Sequence, residues 1–218
     1  MRWKTWVFDC DGVLMNSNGV KRDAMFRSAL GYGSENAKRL VEYHLSNGGI
    51  GREIKFRWFL REIMGISEGL EDAVSDLKRE YSKNLLGALL TCEVAPGIRE
   101  ILAGLRKEGV SLFVVSGADQ DELREILRER QLASLFDGIY GAPDTKDEIL
   151  TREFDAGGMN QPSIFLGDSR YDYEASQRVG LDFVFVYGWT EVADWRRFVA
   201  DEGIVCVKRV TSQIELLF

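Results

Sequence analysis

With 218 residues, 45% of them hydrophobic and 29% charged, the chain can build a real core without staples, as one large domain or a domain with an insertion. A formal net charge of −7 argues against nucleic-acid or anionic-membrane partners but not against a small anionic ligand, since local fields outweigh totals. Cys10, Cys92 and Cys206 are too scattered for a disulfide framework or zinc site, and neither a span of roughly 20 apolar residues nor a signal-peptide pattern is present, so a soluble cytoplasmic protein, monomer or homodimer, is expected.

The first element is Trp6–Phe8, an apolar run that breaks at once into Asp9 and Asp11, followed by Gly12. A buried strand suits the first three residues and nothing inside a strand suits the next four, so a central strand spills its C-terminal end into a loop carrying two acids. Asn16–Gly19 reads as a linker. From Val20 to Leu90 apolar residues recur at three- and four-residue steps (Leu40, Val41, Leu45; Phe56, Phe59, Leu60, Ile63; Val74, Leu77, Tyr81, Leu85), with glycines between the segments. This predicts roughly four helices and no strand.

Beyond Thr91–Pro96 the pattern alternates. A helix over Ile98–Glu108 precedes a strand at Val110–Val115, which ends in Ser116-Gly117-Ala118 before a helix from about Asp119. A short strand at Gly138–Tyr140, a helix from about Thr145 to Phe154 and a strand at Ser163–Leu166 follow. That strand ends in Gly167-Asp168-Ser169, and a helix near Asp172–Val179 leads to a strand at Asp182–Val186. A helix near Val192–Val199, a short strand at Ile204–Val207 and a helix near Ser212–Leu217 complete the chain. Alternating strands and helices imply right-handed crossovers and a parallel sheet. The expected fold is α/β: a doubly wound Rossmann-like core of residues 1–15 and 92–218, with an α-helical cap domain, 16–91, inserted into it.

In a parallel sheet the C-terminal strand ends share one edge, where ligands bind. Four clusters fall there: Asp9 and Asp11, Ser116, Lys146, and Asp168 with Asp172. So much negative charge calls for a cation, and all-oxygen ligands beside a phosphate suit a partly hydrated Mg²⁺. Such a site fits phosphoryl transfer. A carboxylate attacks phosphorus, cations and a hydroxyl neutralise its oxygens, and a second acid moves the protons.

The four motifs, DCDGVL at Asp9–Leu14, VVSGA at Val114–Ala118, the lysine of DTKDE at Lys146 and GDSRYD at Gly167–Asp172, come in an order that resembles the haloacid dehalogenase-like superfamily. The resemblance is to its branch with a helical cap after the first strand, the phosphoglycolate phosphatase and β-phosphoglucomutase type. It implies Asp9 as nucleophile and Asp11 as general acid/base. Ser116, Gly117 and Lys146 would hold the phosphoryl group. The Mg²⁺ ligands would be Asp9, the backbone carbonyl of Asp11, and Asp168, with Asp172 binding through water or orienting the loop. Lys146 is followed by Asp147, where the family often has proline. The activity implied is hydrolysis of a small phosphorylated metabolite, such as a sugar phosphate. A phosphomutase is the alternative, with a receiver-like signalling domain or a non-catalytic phosphate binder behind it.

Several residues have plainer readings. Asp9, Asp11 and Asp168 alone could be turn or cap residues, Asp172 could start the following helix, Ser116 could serve a turn, and Lys146 could be a solvated helix lysine. Cys10 alternates away from the acids and reads as a buried filler, and His44, the single histidine, as an ordinary helix residue. Outside the core, the glycine-rich turn Asn47–Arg52 is the candidate for substrate specificity, through Gly51, Arg52 and Lys55; a helix C-cap followed by a solvated basic face competes with it. Phe56, Trp58 and Phe59 read as cap core.

Overall fold

Thr5–Phe8 is buried along its whole length, which a strand achieves only when both faces of its sheet are covered. The computed structural model describes residues 2–211 and places this strand, β1, inside a six-stranded sheet. The others are β2 (Ser111–Asp119), β3 (Gly138–Ala142), β4 (Ser163–Gly167), β5 (Asp182–Val186) and β6 (Val205–Val207), ordered β3-β2-β1-β4-β5-β6 and parallel throughout. The chain steps outward from β1 through β2 to β3, then crosses back to β4 on the other side of β1. The crevice of such a sheet opens where the order reverses.

Alternation along β1 feeds two cores. Trp6 and Phe8 pack with Leu112, Val114, Ile164 and Leu166 on one face, and Val7 packs with Phe113, Val115 and Phe165 on the other. Helices α5 (Ile98–Lys107) and α6 (Gln120–Glu129) supply Leu102, Leu105, Leu123 and Ile126 to the first core. Helices α7 (Lys146–Asp155), α8 (Arg170–Arg178) and α9 (Trp195–Asp201) supply Ile149, Leu150, Ala175 and Phe198 to the second. Each such buried Leu, Ile or Phe side chain contributes about 1.5–3 kcal/mol of transfer free energy.

Between β1 and α5 lies a helical insertion: α1 (Asn18–Ser28), α2 (Ser34–Ser46), α3 (Arg52–Trp58), which runs on into a π turn at Phe59–Ile63, and α4 (Leu70–Thr91). Phe56 and Phe59 are fully buried in it, Phe56 meeting Tyr81 edge-on at 5.9 Å while Trp58 stacks on Tyr43 at 3.7 Å. Of the boundaries that differ from the sequence reading, two bear on the site. Asn18 and Gly19 belong to α1 rather than to a linker, because helix α1 begins almost as soon as the β1 loop closes. Strand β2 extends past Val115 to Asp119 through an irregularity in its pairing with β3. The helix expected near Ser212–Leu217 lies outside the described residues. No helix among the described residues is long and apolar enough to cross a membrane.

Candidate active site

Register brings the acidic loops together. Phe8 lies opposite both Val114 of β2 and Leu166 of β4, so Asp9 and Asp168, just past β1 and β4, stand at one edge with Ser116 of β2. The Asp9 amide donates to the Leu166 carbonyl at 2.9 Å and ties the first loop to the last. Gly12 turns the β1 loop at φ +76°, and a Cβ there would fall 2.0 Å from Asp168 Oδ2, so only glycine lets the loops approach.

Lys146 is the first residue of α7, set there by a capping box between Thr145 and Glu148. Its ammonium is buried 3.0 Å from Asp9 Oδ1 and donates to Asp172 Oδ1. Burial works to discharge it, but Asp172 and Asp9 prevail and hold its pKa above the usual lysine value. Asp172 is the third residue of α8 and forms a capping box with Ser169. Its Oδ2 accepts from the Asp168 amide at 3.1 Å, the Ser169 amide at 3.0 Å and the Ser169 hydroxyl at 2.8 Å. Asp172 therefore starts α8 and at the same time reaches the lysine beside Asp9.

Asp9, Asp168 and Asp172 each offer a carboxylate oxygen, all within 4.8 Å of one another. One lysine faces three buried acids. Burial pushes the Asp9 carboxyl up to about 7, with Asp172 and Asp11 adding to the rise and Lys146 opposing it. Burial, Asp9 and Asp172 push Asp168 well above the carboxylate range. Asp9 Oδ1 is buried with an ion pair but no hydrogen bond. All-oxygen donors with excess negative charge, one of them without a hydrogen bond, fit a hard divalent cation such as Mg²⁺, which Asp9 and Asp168 would hold with Asp172 behind them.

Asp11 stands apart from this three-acid group. Its Oδ1 accepts from the Ser17 hydroxyl at 2.5 Å, its Oδ2 from Lys21 Nζ, and the Ser116 hydroxyl lies 3.5 Å from Oδ2. Burial would raise its pKa, yet Lys21 and Ser17 bring it below the ordinary value, so Asp11 rests ionised. Cys10, between the two acids, is buried in the core beneath the insertion, and burial raises its thiol pKa far from reactivity.

A family model described as haloacid dehalogenase-like hydrolase matches residues 6–186. The chain belongs to this family. It is 32% identical to a phosphoglycolate phosphatase of Pseudomonas syringae pv. syringae, over 85% of this chain and 70% of that one. It is 26% identical to a phosphorylated carbohydrates phosphatase of Thermotoga maritima, over 82% of each. The crystal structure of a predicted phosphatase from Clostridium acetobutylicum superposes with a TM-score of 0.76, covering 100% of this chain and 99% of that one at 18% identity, and shares its fold. Family and relatives make this hydrolase a phosphatase.

The phosphatase closes its crevice with the insertion. A cavity of about 100 Å³ is lined by Asp9 and Asp11 from below and by Lys21, His44, Lys55 and Tyr81 from above. Gly117 lines it too; a Cβ there would meet the Gly49 carbonyl at 2.3 Å, so the glycine-rich turn rests directly on the β2 loop. Gly51 packs beside this contact, near Ala142 and the Gly117 carbonyl. Arg52 lines the cavity, but its charge is engaged: it forks onto Glu122 of α6 at 2.5 and 2.9 Å and lies over the Tyr81 ring. It ties insertion to core. Lys55 and His44 face the cavity as a pair, Nζ 3.0 Å from Nδ1.

The sequence reading missed three residues at the start of the insertion. Ser17 and Lys21 hold Asp11, and Asn18 Nδ2 donates to Asp168 Oδ2 at 2.7 Å and to the Trp189 carbonyl at 3.0 Å. A signal existed: Asn18, Lys21 and Met25 recur at helical spacing, and all three line the cavity.

Proposed function

We propose that this phosphatase hydrolyses a small phosphomonoester, with the Mg²⁺ its family generally uses, through a covalent phosphoryl intermediate on Asp9. The observation that carries this reading is the buried group of Asp9, Asp168, Asp172 and Lys146, with Asp11 two residues from Asp9. Bound there, Mg²⁺ would neutralise phosphate oxygens and polarise phosphorus.

The Asp9 carboxylate attacks phosphorus in line as the bond to the ester oxygen breaks. Lys146 orients Asp9, and Ser116 and the Gly117 backbone receive phosphoryl oxygens. Asp11 supplies the proton that the leaving alkoxide needs. It rests ionised beside Lys21, and an arriving phosphate dianion raises its pKa by like-charge repulsion, so Asp11 takes up a proton from water as the substrate binds. In the second step Asp11 takes a proton from water, the water oxygen bonds to phosphorus, and the bond to Asp9 breaks to release inorganic phosphate. The insertion excludes bulk water from both steps. The names of the relatives point to two substrate types, sugar phosphates and phosphoglycolate.

Phosphate release over a panel of such esters tests this. Asp9→Asn is expected to abolish turnover with an unchanged melting temperature, and chelation of divalent ions to stop the wild type until Mg²⁺ is restored. Turnover by Asp9→Asn at the wild-type rate removes Asp9 from the nucleophile role.

A further inference from the structure

The cavity holds a lysine that the proposed chemistry does not use. Lys55, on the first turns of α3, is 3% exposed. Its two buried counterparts at the site have carboxylate partners, Lys146 with Asp9 and Asp172, and Lys21 with Asp11. Among the described residues no carboxylate lies within ion-pair distance of Lys55; its one polar partner is His44 Nδ1 at 3.0 Å. Asp11 and Glu191 act on it only from across the cavity, and Lys21 and Lys146 repel it.

A buried ammonium without an acid is destabilising, a burden retained where a ligand supplies the counter-charge. Burial, then Lys21, bring Lys55 down to about 7, and burial with Lys55 brings His44 down to about 3. The imidazole is therefore neutral and accepts from Nζ, which fixes the direction of the lysine. Both residues line the same cavity as Asp9 and Asp11.

Given the phosphatase reading above, we propose that Lys55, positioned by His44, receives a second anionic group at the far end of the leaving group. The substrate class is then a phosphomonoester that also carries a carboxylate or a second phosphate, rather than a neutral sugar or alcohol phosphate. Arg52, engaged by Glu122, does not take this role.

Three probes separate the cases: 2-phosphoglycolate for a carboxylate, glycerol 1,3-bisphosphate for a second phosphate, and ethyl phosphate for an uncharged end. One charge-assisted contact predicts that kcat/KM for one anionic probe exceeds that for ethyl phosphate by about 10- to 100-fold. Lys55→Met should cost the preferred probe at least about ten times more than it costs ethyl phosphate, and Lys55→Arg should restore part of the difference. His44→Ala should raise KM for the anionic probe with a smaller change in kcat. Equal use of all three probes by the wild type, or an equal loss on all three in Lys55→Met, overturns the inference. Calorimetric binding of 2-phosphoglycolate and glycerol 1,3-bisphosphate to Asp9→Asn reads the same contact without turnover. Affinity unchanged by adding Lys55→Met, or absent for both probes, overturns the inference whatever the fate of the Asp9 mechanism.

Discussion

The sheet edge and the insertion each bury a lysine almost completely, Lys146 at 1% exposure and Lys55 at 3%, and they treat it in opposite ways. At the sheet edge the ammonium lies between Asp9 and Asp172, and the charge is stabilised beyond its value in water. In the insertion the ammonium has only a neutral imidazole beside it, and burial destabilises the charge. Equal burial thus gives a permanent cation in one region and a readily discharged one in the other, and the difference is the nearest carboxylate. Lys146 has its counter-charges within the protein; Lys55 lacks one until something binds.

The sharpest way to break this contrast is to remove the paired lysine. Lys146→Met leaves Asp9 and Asp172 buried without their cation, so phosphate release should fall by about 10²-fold or more. Stability measured by urea unfolding without metal should fall by about 3–5 kcal/mol. A variant that folds and turns over like the wild type would show that Lys146 neither holds Asp9 nor balances the acids.

The same change at Lys55 should act with the opposite sign. The unfolded chain keeps the Lys55 proton up to the model-compound value of 10.5, whereas the folded chain keeps it only to about 7. Folding therefore releases a proton between those values, and stability rises with pH through that window. Below pH 7 the ammonium is charged in both states and its whole burial cost stands. Lys55→Met should be more stable than the wild type by a few kcal/mol at pH 6, and the advantage should shrink toward pH 10. A difference that stays flat with pH would mean that Lys55 has a counter-charge.

The smallest effect concerns the tie between the regions. Arg52 and Glu122 are 12% and 32% exposed, and Ser82 of the insertion also donates to Glu122. Glu122→Gln should lower stability by about 1 kcal/mol, with a weak dependence on salt. A loss as large as that of Lys146→Met would make this pair, rather than the sheet-edge lysine, the main charge contact of the molecule.

The sheet edge was legible in the sequence because its residues interrupt apolar runs. Asp9, Ser116 and Asp168 each follow a strand whose burial is plain from composition, and parallel strands leave one place for such residues to meet. Lys146 was legible as the start of a helix, with Thr145 and Glu148 marking the cap. The supports of Asp11 and Asp168 were not, because Ser17 and Asn18 lie in a polar stretch that reads as a linker and Lys21 follows just after it. Only the immediate turn of the chain into α1 shows that they fold back over the acids. Arg52 was legible as a residue of the closing turn, but its occupation by Glu122 joins positions 70 residues apart, which periodicity cannot reveal. His44 read as an ordinary helix residue, and its role beside Lys55 depends on how two helices pack.

Asp172 has one carboxylate with two duties: Oδ2 starts helix α8 and Oδ1 seats the lysine that faces the nucleophile. The first turn of that helix and the alignment of the reacting groups are consequently one cooperative unit. Fraying at the N-terminus of α8 would slacken Lys146 and Asp168 together, so amide hydrogen exchange at Ser169 and Asp172 should track loss of catalytic competence on warming, ahead of global melting.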